Sequence, residues 1–305
     1  MKKLPKEIAT TLDELMRLEF LTSNFSLLPN QPVHSVLSGK HASKLRGRGL
    51  DFSEVRKYVY GDDIRNIDWK VTARTKQTHT KVFNEEKERP CFVIVDQSSS
   101  MFFASEGKVK SVLAAQVAAI SGFKVLKAGD RLGGLVFDDD SFKTIQPKRS
   151  RNNMMHLLES IVAKNQALVK RKRMQGKQDI INKVLFKAKN VITHDYVVVV
   201  ISDFSNINEQ GVKYLTSIAQ HNDVIAVMVN DKMEQSLPSH DLPVSDGKFQ
   251  VMIKNKEKVL SKFRDISWKH REETIEYFRK YGIPFMEFNT HETLVEQIKR
   301  IFGRR

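Results

Sequence analysis

A chain of 305 residues with 40% apolar content is long enough for two domains or one elaborated one, and helical and strand patterns run to its C-terminus. Its one cysteine, Cys91, excludes an intrachain disulfide and fits a reducing compartment. The opening Met-Lys-Lys-Leu-Pro-Lys-Glu has no apolar core behind its lysines, and no apolar stretch approaches the ~18 residues of a membrane span, so neither a secretory signal nor a span is expected and the protein reads as cytoplasmic. The net charge of +15 is concentrated: residues 143–191 hold 13 Lys or Arg against Glu159 and Asp179, a net +11.

In chain order, Ile8, Leu12, Leu15, Met16, Leu18 and Leu21 give residues 5–28 a helical period, and Pro-Asn-Gln-Pro at 29–32 turns the chain. Residues 33–50 are polar, basic and Gly-rich. A block of interleaved charge and aromatics follows from Phe52 to Trp69, residues 78–84 alternate as a strand, and Pro90 marks a boundary. The chain therefore divides into an N-terminal helix with a small β-containing segment, 1–90, and a second domain, 91–305. In the second, strand 91–96 leads to a helix over about 107–127. Gly129-Asp130 turns into strand 131–137, and 141–146 is its hairpin partner. Helix 150–168, helix 178–190, strand 196–201, helix 208–221 and strand 223–229 follow. After a loop and hairpin over 230–255, a helix over about 257–281, strand 283–288 and helix 291–302 close the chain. Strands separated by helices of this length imply right-handed crossovers and a mainly parallel sheet of Rossmann-like α/β type.

The chemistry concentrates where the first of these strands ends. Cys91-Phe-Val-Ile-Val-Asp96 is an apolar, β-branched run of the kind covered on both faces, and it gives way to Asp96-x-Ser98-x-Ser100. In an extended loop, alternate positions point the same way, so one carboxylate and two hydroxyls share a side. Three hard oxygens suit a small divalent cation such as Mg²⁺. Asp203 is likewise the first acid after an apolar strand. Ligand crevices of open parallel sheets lie beyond the carboxyl ends of the strands, which puts both carboxylates on the same rim. The plainer alternative is that Ser98 and Asp203 cap the helices that follow.

Asp96-x-Ser98-x-Ser100 with a later Asp203 resembles the metal-ion-dependent adhesion site of von Willebrand factor A (vWA) domains. The preceding stretch, Gly49-x-Asp51-Phe52-x-x-Val55-Arg56-x-Tyr58-x-x-Gly61-Asp62-Asp63-x-Arg65-x-Ile67-Asp68-Trp69-x-x-x-Ala73-Arg74, is similar to the signature of the domain-of-unknown-function 58 family, in which such a block precedes a vWA-like domain. Gly129-Asp130-Arg131 and Asp231-x-x-Glu234-x-x-Leu237-Pro238 also fit. The resemblance implies a three-layer αβα sandwich that binds Mg²⁺, or Mn²⁺ or Ca²⁺, at its upper face. Asp96, Ser98 and Ser100 would be direct or water-bridged ligands, Asp203 would act through water, and one position would stay open for a partner's carboxylate. The threonine that such sites also use is replaced in Gly176-Lys177-Gln178-Asp179 by Gln178, with Asp179 either a substitute ligand or the cap of the next helix. The resemblance further implies a non-enzymatic adaptor that works with a MoxR-type AAA+ ATPase or a client.

Three points stay open at this stage. Asp62, Asp63, Arg65, Asp68 and Arg74 form either a docking surface or an internal clamp in which Arg65 or Arg74 holds Asp62 or Asp68. A haloacid dehalogenase-type phosphotransferase also places an aspartate after its first strand, but it would have a second Asp where this chain has Ser98. The basic block Lys170-Arg171-Lys172-Arg173 suits a phosphate backbone, anionic lipid or an acidic protein face, and no aromatic residues interleave with it for base stacking.

Overall fold

The structure, a computed structural model, describes residues 4–24, 50–85, 89–171, 179–235, 242–245, 250–253 and 271–302. The elements run α1 (Leu12–Arg17), β1 (Leu50–Lys57), α2 (Trp69–Thr75), β2 (His79–Glu85), β3 (Cys91–Asp96), α3 (Lys110–Ala128), β4 (Leu132–Phe137) and β5 (Phe142–Lys148). They continue with α4 (Arg151–Lys170), α5 (Ile180–Val191), β6 (Val197–Ser202), α6 (Glu209–Ala219), β7 (Asp223–Asn230), α7 (Lys232–Gln235), β8 (Leu242–Ser245), β9 (Gln250–Ile253), α8 (271–280), β10 (Phe285–Asn289) and α9 (Leu294–Phe302). Contacts divide the chain into Met1–His34 with Arg89–Arg305, and Ser35–Glu88. The expected division at residue 90 is thus corrected for the first helix, which belongs with the sheet. Leu15 is buried in the sheet unit's core, and the Thr10 N–H donates to Asn165 Oδ1 of α4 at 2.9 Å.

The larger unit is built on a six-stranded sheet in the order β10-β7-β6-β3-β4-β5, parallel except for the β4–β5 hairpin. Every residue of β3 is buried, and its side chains alternate between two cores. Cys91, Val93 and Val95 face α3, α4, α9 and α1, whereas Phe92 and Ile94 face α5, α6 and α8. A strand covered on both faces has no polar side to show, which is why its sequence is continuously apolar. The three-layer αβα arrangement is the one the sequence implied. α3 lies close over the sheet because Ala114, Ala115, Ala118 and Ala119 leave room for it. By length and composition α3 alone among the described helices could cross a membrane, which corrects the expectation that no stretch approaches such a length; 78% of it is buried inside the sheet unit.

Chain order reverses beside β3: the chain passes to β4 on one side and reaches β6 on the other. Such a switch point opens a crevice at the strands' carboxyl ends. The helix expected over 5–28 is shorter. α1 runs for six residues and tightens into a 3₁₀ turn over Leu18–Asn24, where the Thr22 hydroxyl donates to the Glu19 carbonyl at 2.6 Å; residues 25–28 lie outside the described residues. Of the helix expected over 257–281, residues 271–280 are helical and 257–270 lie outside the described residues.

The smaller unit pairs β1 with β2 antiparallel, with a register shift between Phe52 and Glu54. The expected clamp is corrected here. Asp62 pairs with Arg56, both oxygens engaged at 2.7 and 2.8 Å, because Gly61 at φ 102° folds the chain back on the end of β1. Asp68 caps α2 by accepting from Lys70 and Val71 N–H, both at 3.1 Å, and lies 3.8 Å from Lys81. Arg65 approaches Asp63 at 4.0 Å.

Candidate functional site: a charged rim at the switch point

β3 and β6 run in register, Val95 opposite Ile201, so the two strands deliver Asp96 and Asp203 to the same rim. Asp96 is buried. Its Oδ1 accepts from the Ser98 N–H at 2.8 Å and its Oδ2 from the Ser202 hydroxyl at 2.6 Å. Burial, reinforced by the nearby Asp203 carboxylate, lifts the Asp96 carboxyl to about 7. The Ser98 and Ser100 hydroxyls lie 3.1 Å apart, brought together where Ser98 leads into a 3₁₀ turn over Ser99–Met101 and not along the extended loop that the alternation assumed.

The loop is held from three directions. Ser99 donates its N–H and hydroxyl to Asp139, each at 3.0 Å, from the β4–β5 turn. The Gln97 amide donates to the Ser111 carbonyl at 2.9 Å and accepts from Asn165 at 3.0 Å, which carries the polar chain through to Thr10. The Ser105 N–H donates to Asp231 at 2.8 Å, and Thr290 donates to the same oxygen. Burial alone would raise Asp231, but these donors hold its carboxyl below the ordinary range.

Asp203 has a partner that sequence reasoning missed. Its Oδ2 accepts from Lys110 Nζ at 2.8 Å, while its Oδ1 accepts from the Ser205 N–H at 3.0 Å. The same ammonium donates to Glu234. Burial would lift Asp203, yet Lys110 overrides it and holds the carboxyl below the ordinary range. Burial would likewise depress the ammonium, but its two carboxylates raise it above the ordinary lysine range. Glu234 moves the opposite way to Asp203: burial raises it, Lys110 opposes that, and Asp203 adds to it. A signal of its burial was present in the sequence, since Lys110 is the one charged residue in the mostly apolar stretch 110–123.

Of the remaining candidates, Gln178 lies outside the described residues, and Asp179 is exposed at the start of α5, where its side chain makes no capping bond. Among the described residues no three His, Cys, Asp or Glu side chains group to hold a metal; the candidate cup has a different make-up, two carboxylates and two hydroxyls. Its halves differ in fit to Mg²⁺. Asp96, Ser98 and Ser100 offer hard oxygens, and the charged neighbour that shifts Asp96 is another carboxylate, so a cation bound there would favour the ionised form that burial and Asp203 oppose. Asp96 and Asp203 each have both oxygens engaged, but one of those on Asp203 is taken by an ammonium.

The basic segment is partly neutralised. Arg171 pairs with Asp139 and Asp140, Lys164 lies 2.9 Å from Asp138, and Arg151 lies 2.7 Å from Glu19.

The chain is 26% identical over 283 residues to the uncharacterized protein Rv1480 of Mycobacterium tuberculosis (strain ATCC 25618 / H37Rv), covering 92% of this chain and 87% of the relative. Among solved structures it is similar to the conserved hypothetical protein BatB from Bacteroides thetaiotaomicron, with TM-score 0.41 and 13% identity over 70% of this chain and 98% of that one. It is also similar to the SpRpn10 VWA domain, with TM-score 0.34 and 8% identity over 70% of this chain and 95% of that one. The model of the protein family of unknown function DUF58 matches residues 54–273, and the chain belongs to that family.

Proposed function

We propose that the protein is a non-enzymatic interaction module that receives a partner's carboxylate at the carboxyl edge of its sheet. Asp96, Ser98 and Ser100 would hold Mg²⁺ there, with Asp203 facing it through water, and the bound ion supplies a coordination position for the incoming acid. The observation that carries this reading is the buried Asp96 carboxylate, beside two hydroxyls 3.1 Å apart, at the switch point of the sheet. The partner in this reading is a MoxR-type AAA+ ATPase or its client, in the cytoplasm. Exposed basic side chains of α5, Lys183, Lys187 and Lys189, are suited to face an acidic partner surface.

Affinity capture of a purified MoxR-type ATPase tests the reading, with wild type against Asp96→Ala, in Mg²⁺ and in EDTA. Retention only by wild type in Mg²⁺ is the expected result. Equal retention under all four conditions would remove the metal from the docking step, and no retention in any would remove this partner.

A further inference from the structure

Lys110 is not accounted for by metal-assisted docking. It opens α3, where the helix dipole disfavours a cation, and its side chain is 2% exposed. Burying an ammonium is costly unless good partners meet it, and its two carboxylates are those partners.

Those carboxylates are unequal. Both oxygens of each are engaged, but the Asp203 side chain is 5% exposed and that of Glu234 is 35% exposed. Glu234 rides on α7, a helix of four residues, with Oε2 accepting from the Asp231 N–H at 3.0 Å. Asp203 is therefore the fixed partner of Lys110. Glu234 is the outer one, a carboxylate that reaches the ammonium from the solvent side.

We propose that Lys110 is a tethered cation that accepts a partner's acidic side chain without a divalent ion, and that Glu234 is the internal carboxylate this acid replaces. The proposal rests on the reading of the edge as a carboxylate acceptor, and it adds a second way for the edge to serve. No covalent step is involved; one carboxylate leaves the ammonium and another takes its place. When Glu234 leaves, its bond to the Asp231 N–H breaks as well. The Asp231 side chain keeps its bonds to Ser105, Thr290 and the Met233 N–H, so the loop and the start of α7 stay anchored while the Glu234 side chain is released.

Acetate is the probe. The full chain carrying Glu234→Ala is titrated with sodium acetate in EDTA, against sodium chloride at equal ionic strength. The readouts are thermal stability and the ¹³Cε resonance of Lys110, assigned by its loss in Lys110→Arg. Glu234→Ala should respond at an acetate concentration about tenfold below that needed by wild type, equivalent to about 1.4 kcal/mol. Glu234→Gln, which fills the same space without charge, should match its chloride control. An unmoved Lys110 resonance in Glu234→Ala overturns the proposal, as does an equal response from Glu234→Gln. A response that requires Mg²⁺ and disappears with Asp96→Ala leaves the metal-assisted reading standing and removes this one. Silence in every variant, with and without Mg²⁺, removes both.

Discussion

Replacing Lys110 with methionine isolates the charge at the centre of the rim. Methionine keeps much of the apolar stem, so the change is chiefly the loss of the ammonium. It leaves Asp203, with its side chain 5% exposed, facing Glu234 across a site without a cation. Removing one member of a buried pair costs about 3–5 kcal/mol. Glu234 is 35% exposed and hydrates in place, so its share is discounted and the lower half of that range applies. At roughly 2–4 °C per kcal/mol for a unit of this size, about 3–4 kcal/mol lowers the melting temperature by roughly 6–16 °C. Calorimetric scans in EDTA at neutral pH read it directly. In an Asp203→Asn background the same Lys110→Met change should cost much less, because the uncompensated charge has gone, and the difference is the coupling energy. Millimolar Mg²⁺ should restore part of the loss in Lys110→Met by supplying Asp203 with another cation. A Lys110→Met protein that melts within about 2 °C of wild type, or an equal loss in both backgrounds, would refute the burial-and-pairing argument on which this magnitude depends.

Three further outcomes follow from the same structure. Asp96 titrates in the folded protein at about 7 against an ordinary 3.8, so between those values the native state carries more protons than the unfolded chain, and stability in EDTA falls as pH rises from about 4 to about 7; Asp96→Asn should flatten that slope in denaturant unfolding curves at pH 5 and pH 8. A Cβ at Gly134 would stand 2.6 Å from the Val93 carbonyl and 3.0 Å from Leu157 Cδ1, so Gly134→Ala must spread β3 from β4 and should cost about 1–3 kcal/mol by urea unfolding. Cys91 is buried and its thiol is pushed up to about 12 by burial and Asp130, so a thiol reagent should modify it only after denaturant is added; rapid labelling of native protein would contradict its placement in the core.

What the sequence disclosed was set by how local its cause is. β3 was legible because two-sided burial writes itself as six consecutive buried residues, and the rim followed because an acid ends each of two such strands. β1 was not seen. Its alternation breaks at the register shift between Phe52 and Glu54, and a bulge of that kind shifts the period on which a strand is recognised. The helix over 5–28 was overextended because apolar spacing continues after the α-helix has tightened, and the hydroxyl of Thr22 takes the Glu19 carbonyl. The Asp62 clamp failed for a different reason. Charge composition gives candidate partners, but only the backbone turn at Gly61 selects Arg56 among them. Lys110 was hidden the same way: Asp203 and Glu234 stand 93 and 124 residues away from it in sequence, and nothing local marks the lysine as their common partner.

Among the carboxylates of the rim are Asp96, Asp203 and Glu234, and one ammonium bonds the last two. That ammonium settles Asp203, whose carboxyl stays below its ordinary range, but not Asp96, which burial and Asp203 hold near 7. The edge thus holds one carboxylate paired with a cation built into the chain, Asp203, and one, Asp96, with no ammonium among its hydrogen-bond donors. The division separates two modes of docking by their response to chelation. An acid received through Asp96, Ser98 and Ser100 is lost in EDTA and untouched by Glu234→Ala. An acid received on Lys110 survives EDTA and binds more tightly once Glu234 is removed. A partner whose affinity changes in neither experiment docks elsewhere on the molecule.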